Sequence, residues 1–207
     1  MARKSTNGDN RARQILAQEA ARIIVDQGIR DYRVAKIKAA ERLGLNTRGA
    51  LPGNSEIEQA VSEHLQLFGG EAHALLLRTM REVALSVMEM LASYSPRLVG
   101  PVLAGTADGS SAVNLHVFAD SPEFIAVDLE DRGYNLRPYE RRLRNRPHRD
   151  SRPETYAGYQ FRYSDTSIEA TVFPEDGIRQ APISPIDGRP MKRADSKAVL
   201  ELINACR

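Results

Sequence analysis

Gly100-Pro101-Val102-Leu103-Ala104-Gly105-Thr106-Ala107-Asp108-Gly109-Ser110-Ser111-Ala112-Val113-Asn114-Leu115 is the stretch on which the fold turns. An apolar run from Val99 to Leu103 gives way to a cluster of Gly, Asp and Ser. A second run, Val113 to Phe118, then alternates in polarity. Two such runs around turn-forming residues read as two strands joined through a glycine turn. Downstream, Leu136–Leu143, Tyr159–Tyr163 and Ile168–Phe173 read as three more strands, and Pro122 to Arg132 reads as a helix between the second and third. From Pro174 the chain becomes irregular, punctuated by Pro182, Pro185, Gly188 and Pro190, and a last helix is expected from Asp195 to Asn204.

Upstream of Ser95-Pro96 the apolar period is helical. Ile15, Leu16, Ala20, Ile23, Ile24 and Val25 recur at three- and four-residue steps from Arg11, and Gly28 supplies a stop. Asp31 is an N-cap candidate for a helix whose apolar positions are Tyr32, Val34, Ile37, Ala40 and Leu43, closed by Gly44. Asn54 or Ser55 caps a third, with Ile57, Val61 and Leu65 inward, and Gly69-Gly70 breaks it. The longest runs from Glu71 to Ser93 with Leu75, Leu76, Met80, Val83, Val87, Met90 and Leu91. Met fills gaps between packed helices, so this stripe reads as core. The expected fold class is α+β, with a helical N-terminal region over residues 1–95 and a mixed sheet with flanking helices over 96–207.

The chain has 207 residues, 42% hydrophobic and 27% charged, which suits a globular protein with a buried core. Cys206 is the single cysteine, so an internal disulfide and a cysteine-based zinc site are excluded and a reducing compartment fits best. No apolar run approaches the roughly 18 residues of a membrane span. With no apolar segment behind Met1-Ala2-Arg3-Lys4, the expectation is a soluble cytoplasmic protein without a membrane partner. The net charge of +2 conceals a segregation. Residues 1–52 carry 11 Lys/Arg against 5 Asp/Glu, residues 53–131 carry 3 against 12, and residues 132–152 carry 8 against 2. Two basic segments suit a polyanion, whereas solvated helix faces and a loop account for the same charges without any partner.

The quoted stretch resembles the signature of the nucleotidyltransferase fold, the DNA-polymerase-β-like superfamily. There a Gly-Ser pair, a Gly-Thr-Ala and a Ser-Asp-Ile-Asp-Leu follow one another at similar spacing. Gly100, Gly105, Thr106, Ala107, Ser111 and Leu115 agree with that pattern. The resemblance covers residues 95–175 and implies a sheet on which Gly100, Gly105, Thr106 and Ser111 meet a nucleotide. Three carboxylates would hold two Mg²⁺ or Mn²⁺ ions for phosphoryl transfer. Glu169 matches the third of these. Pro101 stands in place of Ser, Ala112 in place of the first aspartate and Asn114 in place of the second. A methyl group binds no Mg²⁺, and an amide is a weak substitute for an anion. The expectation is a degenerate member in which Ala112, Asn114 and Glu169 still converge at one end of the sheet.

By the period of two, His116 shares a face with Asn114, which makes Asn114, His116 and Glu169 a candidate set for a softer metal, against the plainer reading of an ordinary strand histidine. His64, His73 and His148 show no ligand spacing, and Asp108 beside Gly109 reads as a turn residue. Arg141, Arg142, Arg144 and Arg146, in the segment linking the third and fourth strands, are candidates for gripping nucleic-acid phosphate. Three functions from different classes follow: a nucleotide- or nucleic-acid-binding regulatory protein with a degenerate site; an active metal-dependent nucleotidyltransferase with an unusual site; and a DNA-binding regulator. The last rests on the first two helices, which resemble the start of a helix-turn-helix regulator of the TetR kind, although residues 45–53 read as a loop where a recognition helix should begin. A protein partner is compatible with any of the three.

Overall fold

The computed structural model describes residues 3–29, 31–45, 51–145 and 152–205, with side chains in the first helix from Asn10 onward. The chain forms two compact units that divide between His73 and Ala74. The division falls well before Ser95-Pro96, where the sequence pattern changes, because the apolar face of the fourth helix belongs to the core of the second unit.

The first unit contains α1 (Arg3–Gln27), α2 (Tyr32–Arg42) and α3 (Asn54–Phe68). Asp31 caps α2 as expected, its carboxylate accepting from the backbone N–H groups of Arg33 and Val34. The buried face of α2 differs from the expectation. Ala40 is buried as expected, but Ala35 and Ala39 join it in the core, while Val34 and Ile37 are 40% and 42% exposed. Small side chains on α2 share this core with Ala17, Ala20 and Ala21 of α1, where a larger residue would hold the backbones apart. Gly53 N–H donates to Glu56, which also binds Arg13, so one carboxylate fixes the start of α3.

The second unit holds α4 (Gly70–Met90), β1 (Arg97–Val99), α5 (Gly100–Ala104), β2 (Val113–Phe118), α6 (Pro122–Asp131), β3 (Arg137–Leu143), β4 (Glu154–Tyr163), β5 (Thr166–Phe173) and α7 (Ser196–Ala205). The division point lies in the first turn of α4. The sheet order is β1-β2-β5-β4-β3, with β2 and β5 parallel and every other pair antiparallel. Val113, Leu115 and Val117 of β2 alternate onto the face that also carries Ile168, Ala170 and Val172 of β5. These six share a core with Met80, Val87 and Met88 of α4, Leu91 just after it, Ile125 and Leu129 of α6, and Val199 and Ile203 of α7. At about 25 cal/mol per Å², that apolar burial is the main stabilisation of the unit.

Two strand expectations are corrected. Val99–Leu103 is a strand only to Val99. Gly100 then takes φ +73, Pro101 enters the first turn of α5, and Val102 turns into the core. Proline's fixed φ and missing N–H suit that position in a helix and not the interior of a strand. β4 begins at Glu154, five residues before Tyr159, and runs through Gly158 without a break. Among the described residues, no helix is long and apolar enough to cross a membrane.

Candidate functional site

Opposite the helices, the sheet presents a second face made by the alternate residues of each strand. In the register of β2 and β5, Asn114 pairs with Glu169, His116 with Thr171 and Phe118 with Phe173. In β4 and β3, Gln160 lies beside Glu169 and opposite Arg137, and Gly158 lies beside Thr171 and opposite Tyr139. Paired residues point to the same side, so Asn114, His116, Glu169, Thr171, Tyr139 and Arg141 share this face. Ala112 immediately precedes β2. Asn114 and Glu169 therefore face each other on adjacent strands.

The face has two ends of different character. At one, Phe118, Leu143, Tyr156 and Phe173 form a small apolar cluster with Ile178 and Met191 of the C-terminal segment. That segment bridges Ile183 to Arg144 and Ala194 to Leu98. Arg193 anchors it: Nε donates to His116 Nδ1 at 3.0 Å and Nη1 to the Gly177 carbonyl at 2.8 Å. Its guanidinium lies 5.0 Å from the Phe118 ring centroid and 5.1 Å from that of Phe173. Burial, and then the positive charges of Arg193 and Arg141, push His116 down to about 3. The imidazole is therefore neutral and accepts through Nδ1, which makes it the partner of Arg193. Burial and the charge of Arg97 lower Arg193 to about 10, and Arg193 still carries its proton at neutral pH.

At the other end, Arg141 Nη2 donates to Glu169 Oε2 at 2.6 Å, with 34% of the Arg141 side chain and 25% of the Glu169 side chain exposed. The Arg141 guanidinium also lies 5.5 Å from the Tyr139 ring centroid. Tyr139 is fixed in turn by a 2.8 Å hydrogen bond to the buried Thr171 hydroxyl and by the absence of a side chain at Gly158. A Cβ at Gly158 would come within 2.7 Å of the Tyr139 hydroxyl, so glycine is the residue that lets the ring lie across β4. Burial raises the Tyr139 phenol, which stays protonated. Asn114 packs against Gly100, where a Cβ would sit 2.9 Å from Nδ2. Asn114 Oδ1 is buried without a hydrogen-bond partner among the described residues.

The glycine turn uses its polar groups on itself. Asp108 Oδ1 accepts from Ser110 N–H and from the Ser110 and Ser111 hydroxyls, and Asp108 N–H donates to Ser111 Oγ. Asp108 is thus a turn residue, and the Ser111 hydroxyl is committed to that turn. Gly105 takes φ +79 at the end of α5, and Thr106 N–H donates to the Pro101 carbonyl. The four candidate nucleotide-binding positions, Gly100, Gly105, Thr106 and Ser111, therefore frame the turn that leads into β2.

The four candidate phosphate-binding arginines do not form one cluster. Arg141 and Arg142 belong to β3, with Arg141 on the open face and Arg142 exposed on the opposite side. Arg144 is exposed just beyond the strand, and Arg146 lies outside the described residues, as does His148. Among the remaining histidines, His64 stacks on Phe68. In the first unit, α2 ends at Arg42 and α3 begins at Asn54, and residues 46–50, part of the stretch read as a loop where a recognition helix should begin, lie outside the described residues. Arg193 and Tyr139 belong to this face without any local pattern that marks them as functional. Gly158, an isolated glycine inside a strand pattern, is the one sequence signal that points toward them.

Comparison with known protein families, with curated proteins and with solved structures finds no match to the chain.

Proposed function

We propose that the chain is a nucleotidyltransferase-like cytoplasmic protein that binds a nucleotide or nucleic acid in a regulatory role and carries out no phosphoryl transfer. The observation that supports this reading is the pairing of Asn114 with Glu169 beside Arg141. The positions at which the resembled family keeps three carboxylates hold a methyl group at Ala112, an amide at Asn114, and a carboxylate at Glu169 already joined to a guanidinium. Two divalent cations carry four positive charges, and one neutralised carboxylate does not balance them. A phosphate oxyanion is suited to the same surface, because Arg141 presents a fixed guanidinium there.

The direct test is an assay of the full chain with each of the four nucleoside triphosphates and Mg²⁺ or Mn²⁺, with the protein itself, tRNA and small hydroxyl compounds as acceptors. No transfer above background is expected, since the metals' share of transition-state stabilisation is on the order of several kcal/mol. Turnover that disappears on Glu169→Ala would overturn the reading in favour of an active enzyme.

For the nucleic-acid form of the reading, Arg142 and Arg144 are the exposed ones, among the described residues, of the candidate arginines other than Arg141. Binding to single-stranded RNA should weaken with salt, and the double substitution Arg142→Ala/Arg144→Ala should flatten the log–log slope by about 1.4 units, roughly 0.7 for each phosphate that is no longer neutralised. A slope that is unchanged by the double substitution would remove these two residues from the interface.

A further inference from the structure

We infer that Arg141 occupies the functional place of the metal in this protein, so that a phosphate-bearing ligand binds the open sheet face without any divalent cation. The inference rests on the proposed binding function and departs from the metal-dependent chemistry of the family the chain resembles.

The residues present do not fit a metal centre. Among the described residues, no group of three His, Cys, Asp or Glu side chains could hold a metal ion. The candidate set Asn114, His116 and Glu169 fails residue by residue. Glu169 Oε2 is 2.6 Å from Arg141 Nη2. His116 Nδ1 is used by Arg193. Asn114 contributes a neutral amide. A cation arriving at Glu169 would have to displace one guanidinium while a second, Arg193, stands at the neighbouring His116 position of the same face.

The same features favour an anion. Among the described residues Arg141 makes one hydrogen bond, to Glu169, which leaves N–H groups of its fork for a second acceptor. A guanidinium can meet two phosphate oxygens at once, as a divalent cation does when it bridges them. Its position is set before any ligand arrives, because Glu169 holds one side and the Tyr139 ring, pinned by Thr171 over Gly158, supports it. A preorganised side chain loses less freedom on binding than a mobile surface arginine. Glu169 has therefore changed partners, from a metal ligand in the resembled family to the residue that positions Arg141.

Calorimetric titration of the full chain with ATP, in EDTA and in excess Mg²⁺, tests this. Binding in EDTA is expected to be as tight as in Mg²⁺ or tighter, because Mg²⁺ masks the phosphate charge that Arg141 recognises. Arg141→Ala should weaken binding by about 10- to 100-fold, the range for loss of a charge-assisted hydrogen bond. Arg141→Lys should recover part of the loss, since an ammonium keeps the charge and lacks the fork. Glu169→Gln should tighten binding, because the amide oxygen still accepts from Arg141 and holds it in place while the negative charge that repels phosphate is gone, a gain that a merely structural ion pair would not produce. If Arg141→Ala fails to fold, the lysine and glutamine variants carry the test. Binding that requires Mg²⁺, or metal-free binding indifferent to Arg141→Lys and Glu169→Gln, would overturn the inference and leave the binding function standing. No ATP binding in either condition would overturn both.

Discussion

Lowering the pH from about 7 to about 5 is expected to destabilise the sheet unit by about 2 kcal/mol through His116 alone. The folded imidazole titrates at about 3, against 6.5 for an ordinary histidine, because it is buried and faces the charges of Arg193 and Arg141. Above about pH 6.5 the side chain is neutral in both states, and its contribution is fully present. Below that, the unfolded chain takes up a proton that the folded chain refuses, so stability falls until the folded imidazole is itself protonated near pH 3. Urea denaturation followed by tyrosine fluorescence reads this unit well, since Tyr94, Tyr134, Tyr139, Tyr156, Tyr159 and Tyr163 all belong to it. His116→Asn keeps an acceptor for Arg193 and has no proton to gain, so its profile should be flatter over the same range. Identical profiles for the two proteins would contradict a buried neutral His116.

Removing the partner has a comparable effect at neutral pH. Arg193→Met is expected to destabilise the sheet unit by about 2–4 kcal/mol, the combined scale of two charge-assisted hydrogen bonds and two ring contacts, less the desolvation relieved. The side chain joins β2, through His116, to the Gly177 carbonyl and to the rings of Phe118 and Phe173. Buried Arg193 Nη2 makes no hydrogen bond among the described residues, which is why the expected loss is below the sum of the contacts. In the same variant His116 should titrate higher, because the second of the causes that depress it is gone while burial remains. Loss of stability without any upward movement of the His116 titration, followed by NMR, would mean that the two side chains are not neighbours in solution.

The helices and the polarity of the sheet are legible in the sequence because they depend on period alone. Ile57 and Val61 of α3, Met80 and Val87 of α4, and Leu91 at its C-terminal end are buried where three- and four-residue steps put them. The pairing of Asn114 with Glu169 is accessible for a related reason: each sits at an alternate position of a clear strand, and the resemblance places the two strands together. Where expectation and structure part, the deciding force is not periodic. Hydrophobicity alone points Val34 and Ile37 inward, but close packing against α1 selects the alanines of α2. An isolated glycine in a strand reads as a break, whereas Gly158 marks the crossing of Tyr139 in the interior of β4. Arg141 lies near the end of an expected strand, and its union with Glu169, 28 residues away, depends on the register of three strands. The contact of Arg193 with His116 spans 77 residues, beyond the reach of any local pattern.

These differences bear directly on function. On the proposed reading, Ala112 and Asn114 stand where the resembled family keeps two carboxylates. Once Arg141 is added, the same site is one in which a fixed positive charge stands against the remaining carboxylate. Asn114→Asp with Ala112→Asp is therefore expected not to create a metal centre, because Glu169 would still be engaged by Arg141.

A crystal structure of the full chain grown with a nucleoside triphosphate and Mn²⁺, with anomalous differences collected to locate manganese, puts the replacement of metal by guanidinium to the test in one experiment. Phosphate oxygens are expected on Arg141, with the Arg141–Glu169 contact preserved and no manganese between Asn114 and Glu169. Manganese ligated by Glu169, with Arg141 turned away from it, would show that the site still works through a metal and that Arg141 does not replace it.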